Sequence, residues 1–157
     1  MSGENDLFFI GKNEQRPHEK TMAKSVNDTF EKMGFMAAQP TDEEAPPANT
    51  LAVSIDILAP IKARMFFSAP QQLGWALAEN LYGLEDLTME AVADMMSELL
   101  NTISGHLMSE IMPDQQFNLS VPKLCETMPS EQGKTFVYHF NIDNKGIITI
   151  VLSNNSY

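Results

Sequence analysis

The chain has 157 residues, 43% of them hydrophobic, which suits one globular domain with its own core and excludes wholesale disorder. Ten Lys and Arg against 21 Asp and Glu leave a net charge of −11, which sets the surface against nucleic acid and anionic membranes and repels a phosphorylated ligand that brings no cations. The single cysteine, Cys125, excludes an internal disulfide and a thiolate zinc site.

Residues 1–16 mix polar side chains with one apolar patch, Leu7-Phe8-Phe9-Ile10, and read as a tail or docking segment ahead of a single domain over 17–157. The start lacks the basic opening and long apolar middle of a signal peptide, and no apolar run nears the ~20 residues that cross a bilayer. The expectation is a cytoplasmic protein with no membrane insertion. A first helix is expected from Pro17 to Met36, with Met22, Val26, Phe30, Met33 and Phe35 near helical spacing. The stretch AAQPTDEEAPPAN, 37–49, carries three prolines and a run of acids and predicts a loop. LAVSIDIL (51–58) and ARMFFSA (63–69) predict a hairpin with Ala59-Pro60 in its turn.

A shorter helix is expected over 70–85, with Gly83 as its stop. The long helix runs from Thr88, a capping residue, to Met112, ahead of Pro113. FNLSVPKL (117–124) reads as an edge or bent strand interrupted by Pro122. TFVYHFNI (135–142) and GIITIVL (146–152) form a second hairpin across Asp143-Asn144-Lys145-Gly146. The class is α+β, an antiparallel sheet with long helices packed on it and a loose internal helix-then-hairpin repeat.

Several motifs carry no chemistry. Gly133-Lys134-Thr135 resembles the end of a phosphate loop, but Met128 stands where the first glycine belongs and a strand, not a helix, follows. His18, His106 and His139 fall in three elements without ligand spacing, so satisfied or exposed histidines are expected and not a metal site. Cys125 has no neighbouring base and reads as packing, and the eleven methionines read as adaptable core filler.

One stripe stands out on the long helix, in ADMMSELLNTISGH (93–106). An α-helix turns about 100° per residue, so with Asp94 at zero, Glu98 lies near ~40°, Asn101 near ~−20° and Gly105 near ~20°. Val92, Met96, Leu99, Ile103 and Leu107 cluster around ~180°, so the polar stripe lies opposite the core face. Most of this pattern fits an ordinary solvated face. A mid-helix asparagine and a glycine one turn later do not, since glycine there costs about 1 kcal/mol relative to alanine. Gly105 removes a side chain beside Asn101 and suits a surface that another molecule's backbone approaches.

Asp94-x3-Glu98-x2-Asn101, with Gly105 and then Pro122, resembles the signature of the CheC/CheX/FliY chemotaxis phosphatases. LGWALAENLYGLEDLTMEAVADMMSELLNTISGHL is similar to the helix pair of the CheX branch, and SIDILAPIKARMFFSAP stands where that family has its hairpin. The resemblance covers about residues 18 to 152. It departs at Ala59-Pro60-Ile61, where the family turns through Gly or Asp with Gly, and at Lys123-Leu124-Cys125-Glu126, which lacks the usual β-branched run to a glycine. HEKTMAKSVNDTFEKMGF has no second Glu-x2-Asn, which implies one site per chain, as in the CheX branch.

The resemblance implies a CheC-like fold, a homodimer, and hydrolysis of the aspartyl phosphate of a CheY-like response regulator. It makes Glu98 and Asn101 the catalytic pair, with Asp94, Gly105 and Pro122 in support. No cofactor of the chain's own is implied; Mg2+ is expected to arrive with the partner receiver domain. The competing expectations are a non-catalytic scaffold or adaptor that binds receivers with the same fold, and a purely structural dimerisation domain.

Overall fold

The computed structural model describes residues 17–33, 37–44, 49–83, 87–125 and 135–154. The expected tail, its Leu7–Ile10 patch, Phe35 and Gly133-Lys134 lie outside the described residues. Three helices appear among the described residues: α1 (Glu19–Lys32), α2 (Gln71–Tyr82) and α3 (Met89–Ile111). The strands are β1 (Ala38–Thr41), β2 (Thr50–Ala59), β3 (Ala63–Pro70), β4 (Asn118–Leu119), β5 (Lys123–Cys125), β6 (Thr135–Ile142) and β7 (Ile147–Ser153). They form one antiparallel sheet in the order β1-β6-β7-β3-β2-β4, with β5 also paired to β2.

Local sequence accounts for most boundaries. The Thr88 side chain caps α3 by accepting from the Ala91 N–H at 3.1 Å, which satisfies one of the donors left open at a helix start. Gly83 ends α2 with φ at 86°, a conformation that favours glycine. Asp143 and Asn144 take positive φ between β6 and β7, as residues with short polar side chains tolerate in tight hairpin turns.

Period-two burial explains the sheet's core face. Val53, Ile55 and Ile57 on β2 are opposite Phe67, Met65 and Ala63 on β3, and all six are at most 1% exposed. Tyr138 and Phe140 on β6 face Ile150 and Ile148 on β7 and continue this layer. On top of it lies α3, whose Val92, Met96, Leu99, Ile103 and Leu107 are fully buried. Burying such a side chain contributes roughly 1.5–3 kcal/mol, so this face locks the rotation of α3 about its axis. The α1 helix packs beside α3 through Met22, Val26 and Phe30, also fully buried.

The repeat is clearer in space than in sequence. The units α1-β1-β2-β3 and α3-β4/β5-β6-β7 each run from a helix through short strand pairing to a hairpin. The two hairpins join through β3 and β7 at the centre of the sheet. The short strands of each unit border the other unit's hairpin: β1 lies against β6, and β4 and β5 lie against β2.

One expectation is corrected and a second is refined. The predicted loop at 37–49 contains β1, despite Pro40. An edge strand pairs on one side only, so a residue without an N–H is tolerated there. The strand expected at 117–124 is two short strands, parted at Ser120-Val121-Pro122, because proline interrupts the ladder and β2 shifts register between Ile57 and Ala59.

Candidate functional site

The α3 stripe emerges where its spacing put it. Asp94, Glu98 and Asn101 are exposed and Gly105 is partly exposed. A side chain at Gly105 would meet nothing within 4 Å, so the surface one turn beyond Asn101 is open to an approaching molecule. Among the described residues, no side chain hydrogen-bonds the Glu98 carboxylate or the Asn101 amide. The nearest polar contact is to backbone, where the Thr102 hydroxyl donates to the Glu98 carbonyl at 2.9 Å.

Tertiary structure adds the wall. Ser97, Glu98 and Asn101 line an open groove of about 350 Å³ together with Leu119, Ser120, Val121 and Pro122. The segment that parts β4 from β5 is thereby set beside the helix. Two bonds hold it there: the Asp56 N–H donates to the Ser120 hydroxyl, and the Ser120 N–H donates to the Asp56 carbonyl, both at 2.8 Å. Asp56 is itself tied across the hairpin by Arg64, whose Nε donates to its carboxylate at 2.6 Å. Pro122 further restricts the backbone. The groove therefore has one wall on a stiff helix and one on a doubly anchored turn.

Of the five residues singled out from sequence, Glu98, Asn101 and Pro122 line this groove. Asp94 is one turn before Glu98 on the same face, and Gly105 one turn after Asn101. Sequence reasoning missed Tyr82. It ends α2 with its side chain 49% exposed, and burial together with the carboxylates of Glu98 and Asp94 pushes its phenol above the usual tyrosine range. Its signal was an aromatic off the Leu73–Leu77–Leu81 stripe, just ahead of the glycine stop. Val121, 78% exposed, was also missed.

The electrostatics suit a cationic partner group. Glu98 and Asp94 lie on the exposed face with no described cation paired to either carboxylate. The Asn101 amide carries both a donor and an acceptor and adds no charge. Such a set can hold a partner's ammonium group and orient a water molecule.

A second constellation looks catalytic but is not. The Ser25 hydroxyl lies 2.9 Å from His106 Nδ1, and His106 Nε2 lies 3.6 Å from the Asp28 carboxylate. Ser25 is fully buried in the seam between α1 and α3, so no substrate carbonyl can reach it. The trio ties two helices together, so His106 is a satisfied histidine. Among the described residues, no group of three or more His, Cys, Asp or Glu is arranged for a metal ion, and no helix is long and apolar enough to cross a membrane.

Comparison with known proteins places the fold. The chain is similar to the chemotaxis protein CheX of Vibrio vulnificus, with a TM-score of 0.71, 16% identity, and coverage of 85% of this chain and 93% of that one. It is similar to CheX in a CheX–CheY–BeF3–Mg2+ complex from Borrelia burgdorferi, with a TM-score of 0.69, 13% identity, and coverage of 85% and 95%. FliY of Thermotoga maritima matches at a TM-score of 0.58 and 13% identity, over 98% of this chain and 91% of that one. No curated protein sequence matches the chain. A family model, that of the chemotaxis phosphatase CheX, matches residues 51–141, more than half of the chain and a span that includes Asp94, Glu98, Asn101, Gly105 and Pro122. On that match, the chain with the CheC-like fold and the exposed Glu98–Asn101 face belongs to the CheX chemotaxis phosphatase family.

Proposed function

We propose that this protein hydrolyses the aspartyl phosphate of a CheY-like receiver domain by inserting the Glu98–Asn101 face of α3 into the receiver's active site. The observation that carries the reading is the exposed pair itself, one turn apart on a rigid helix, with no described side chain holding either group. The Borrelia relative, described as a complex with CheY, BeF3 and Mg2+, supports a receiver as the partner. Mg2+ comes with the receiver, and the reaction takes place in the cytoplasm. The working unit is a homodimer with one site per chain.

The division of labour follows from charge. Phosphoryl transfer passes through a loose transition state with little need for early proton abstraction, so positioning dominates. The Asn101 amide accepts from or donates to a water and holds it in line with phosphorus without placing a new charge near phosphate oxygens. Glu98 would repel phosphate, and it pairs instead with a lysine of the receiver, which sets the depth and angle of the helix. Asp94 extends the anionic surface toward the same cation, Gly105 leaves room for the receiver's backbone, and Pro122 stiffens the groove's second wall. A ten- to hundredfold acceleration requires only about 1.4 to 2.7 kcal/mol at the transition state, within reach of one well-held water.

The test follows loss of phosphate from a phosphorylated receiver with and without the protein. Asn101→Ala should keep binding to a beryllofluoride-activated receiver and lose most turnover, and Glu98→Ala should weaken productive docking. Wild-type turnover by Asn101→Ala would sink the assignment. Binding of receivers without any turnover by the wild-type protein would establish the scaffold instead.

A further inference from the structure

Exposed apolar residues from two separate elements border the Glu98–Asn101 stripe. On the strand side, Val121 is 78% and Leu124 63% exposed. Val121 lines the groove with Glu98 and Asn101. Leu124 stands opposite Val53 in the pairing of β2 with β5, and directly paired residues project from the same face of a sheet. Val53 is fully buried on the face that α3 covers, so Leu124 projects toward that same side, at the sheet edge where the cover ends. On the helix side, Tyr82 is half-exposed at the end of α2, the helix that packs against α3 with Gly74 beside Val92 and Met96, and the charges of Glu98 and Asp94 reach its phenol.

Single exposed apolar residues call for no explanation. Here, however, two elements far apart in sequence place them around one polar stripe, and the turn that carries Val121 is held by the paired Ser120–Asp56 bonds. Tyrosine is among the favoured anchors of a protein interface, and the apolar contacts that surround such an anchor exclude water once covered. The charge of the stripe selects the occupant. A second copy would bring Asp94 and Glu98 against their own equivalents on a chain of net charge −11, and like charges across an interface oppose association. A receiver with a lysine beside its phosphorylation site brings the opposite charge.

We propose that Tyr82 at the end of α2 and Val121 with Leu124 beside the groove form an apolar bracket that grips a phosphorylated receiver domain at the Glu98–Asn101 stripe and determines which receiver is accepted. The inference rests on the phosphatase reading above and deepens it. The carboxylates meet a cation that all receivers of this type would offer, so they discriminate little. The bracket depends on the fit of apolar surfaces, which a point charge does not test, so specificity resides there.

The experiment uses the wild-type chain and two variants, the double substitution Val121→Ser with Leu124→Ser, and Tyr82→Ala, all checked for folding by circular dichroism. Each is titrated against purified receiver domains of the source organism activated with beryllofluoride and Mg2+, and then assayed for turnover of the phosphorylated forms. For a receiver that the wild type binds, each variant should weaken binding roughly tenfold, the scale of losing an interface anchor. KM should rise in parallel, with kcat within about twofold, since neither flank touches the reacting atoms. Unchanged binding in either variant overturns the bracket and leaves the phosphatase reading standing. Weakened binding in both without wild-type turnover upholds the bracket and removes the phosphatase reading. A wild type that binds no receiver overturns both. Variants that shift elution in gel filtration while binding receivers normally assign the face to a second copy and overturn the bracket.

Discussion

The α1 and α3 helices open the two units of the sheet and pack side by side, yet their polar residues have opposite fates. On α1, the Asn27 carbonyl oxygen accepts from the Ala38 N–H at 3.0 Å, its amide nitrogen donates to Glu31 at 3.3 Å, and Asp28 pairs with His106. Every one of these groups is committed within the chain. On α3, Glu98 and Asn101 have no described side-chain partner, and Gly105 leaves open space beside them. Two helices of one fold thus divide into a structural face and a face available to another molecule. The difference teaches that an asparagine on a helix surface is not in itself a site; its commitments decide.

Paired substitutions can break or sharpen that contrast. The largest effect is expected for Asn101→Ala, with turnover of a phosphorylated receiver falling roughly ten- to hundredfold while stability in urea changes by less than about 0.5 kcal/mol. Asn27→Ala should do the reverse: a loss of about 1 kcal/mol in chemical denaturation as the Ala38 N–H loses its partner, with turnover unchanged within about twofold. If both asparagines behave alike, the contrast between the faces is wrong.

Gly105→Ala separates helix stability from docking. The added methyl meets nothing in the folded chain, so stability should rise by about 0.5–1 kcal/mol from the better helix former. If a receiver backbone passes over this position, binding weakens despite the gain. A more stable variant with wild-type affinity would remove Gly105 from the interface. The smallest effect is spectroscopic. Burial first, and then the two carboxylates, disfavour the anionic phenolate and hold the Tyr82 phenol up, so Glu98→Gln with Asp94→Asn should lower its pKa part of the way toward the usual tyrosine value. Absorbance titration reads the change, with Tyr82→Phe identifying the signal, and an unmoved titration would place Tyr82 outside the field of the stripe.

Much of the helical layer was legible in the residues. Apolar positions at a 3.6-residue period placed the buried face of α3, and its opposite stripe followed from helical geometry alone. The hairpins at 50–70 and 135–153 were legible from alternation and turn residues. The edge strand β1 was not, because Pro40 and the following acids look like a loop and only pairing with β6 makes a strand of them. Tyr82 and Val121 were equally hidden, since the packing of α2 on α3 and the pairing of β4 with β2, not the local sequence, set their positions.

Periodicity and residue type by themselves determined the rotation of α3, the make-up of its outward stripe and the resemblance those residues carry, because a helix fixes angular position from spacing. Only the tertiary structure decided that Ser120-Val121-Pro122 closes a groove on that stripe, that the end of α2 comes within reach of the Glu98 and Asp94 charges, and that Asn27 and Asp28 of α1 are internally engaged. Those relations depend on strand register and helix packing, which are set by the sum of long-range contacts and are written in no local pattern.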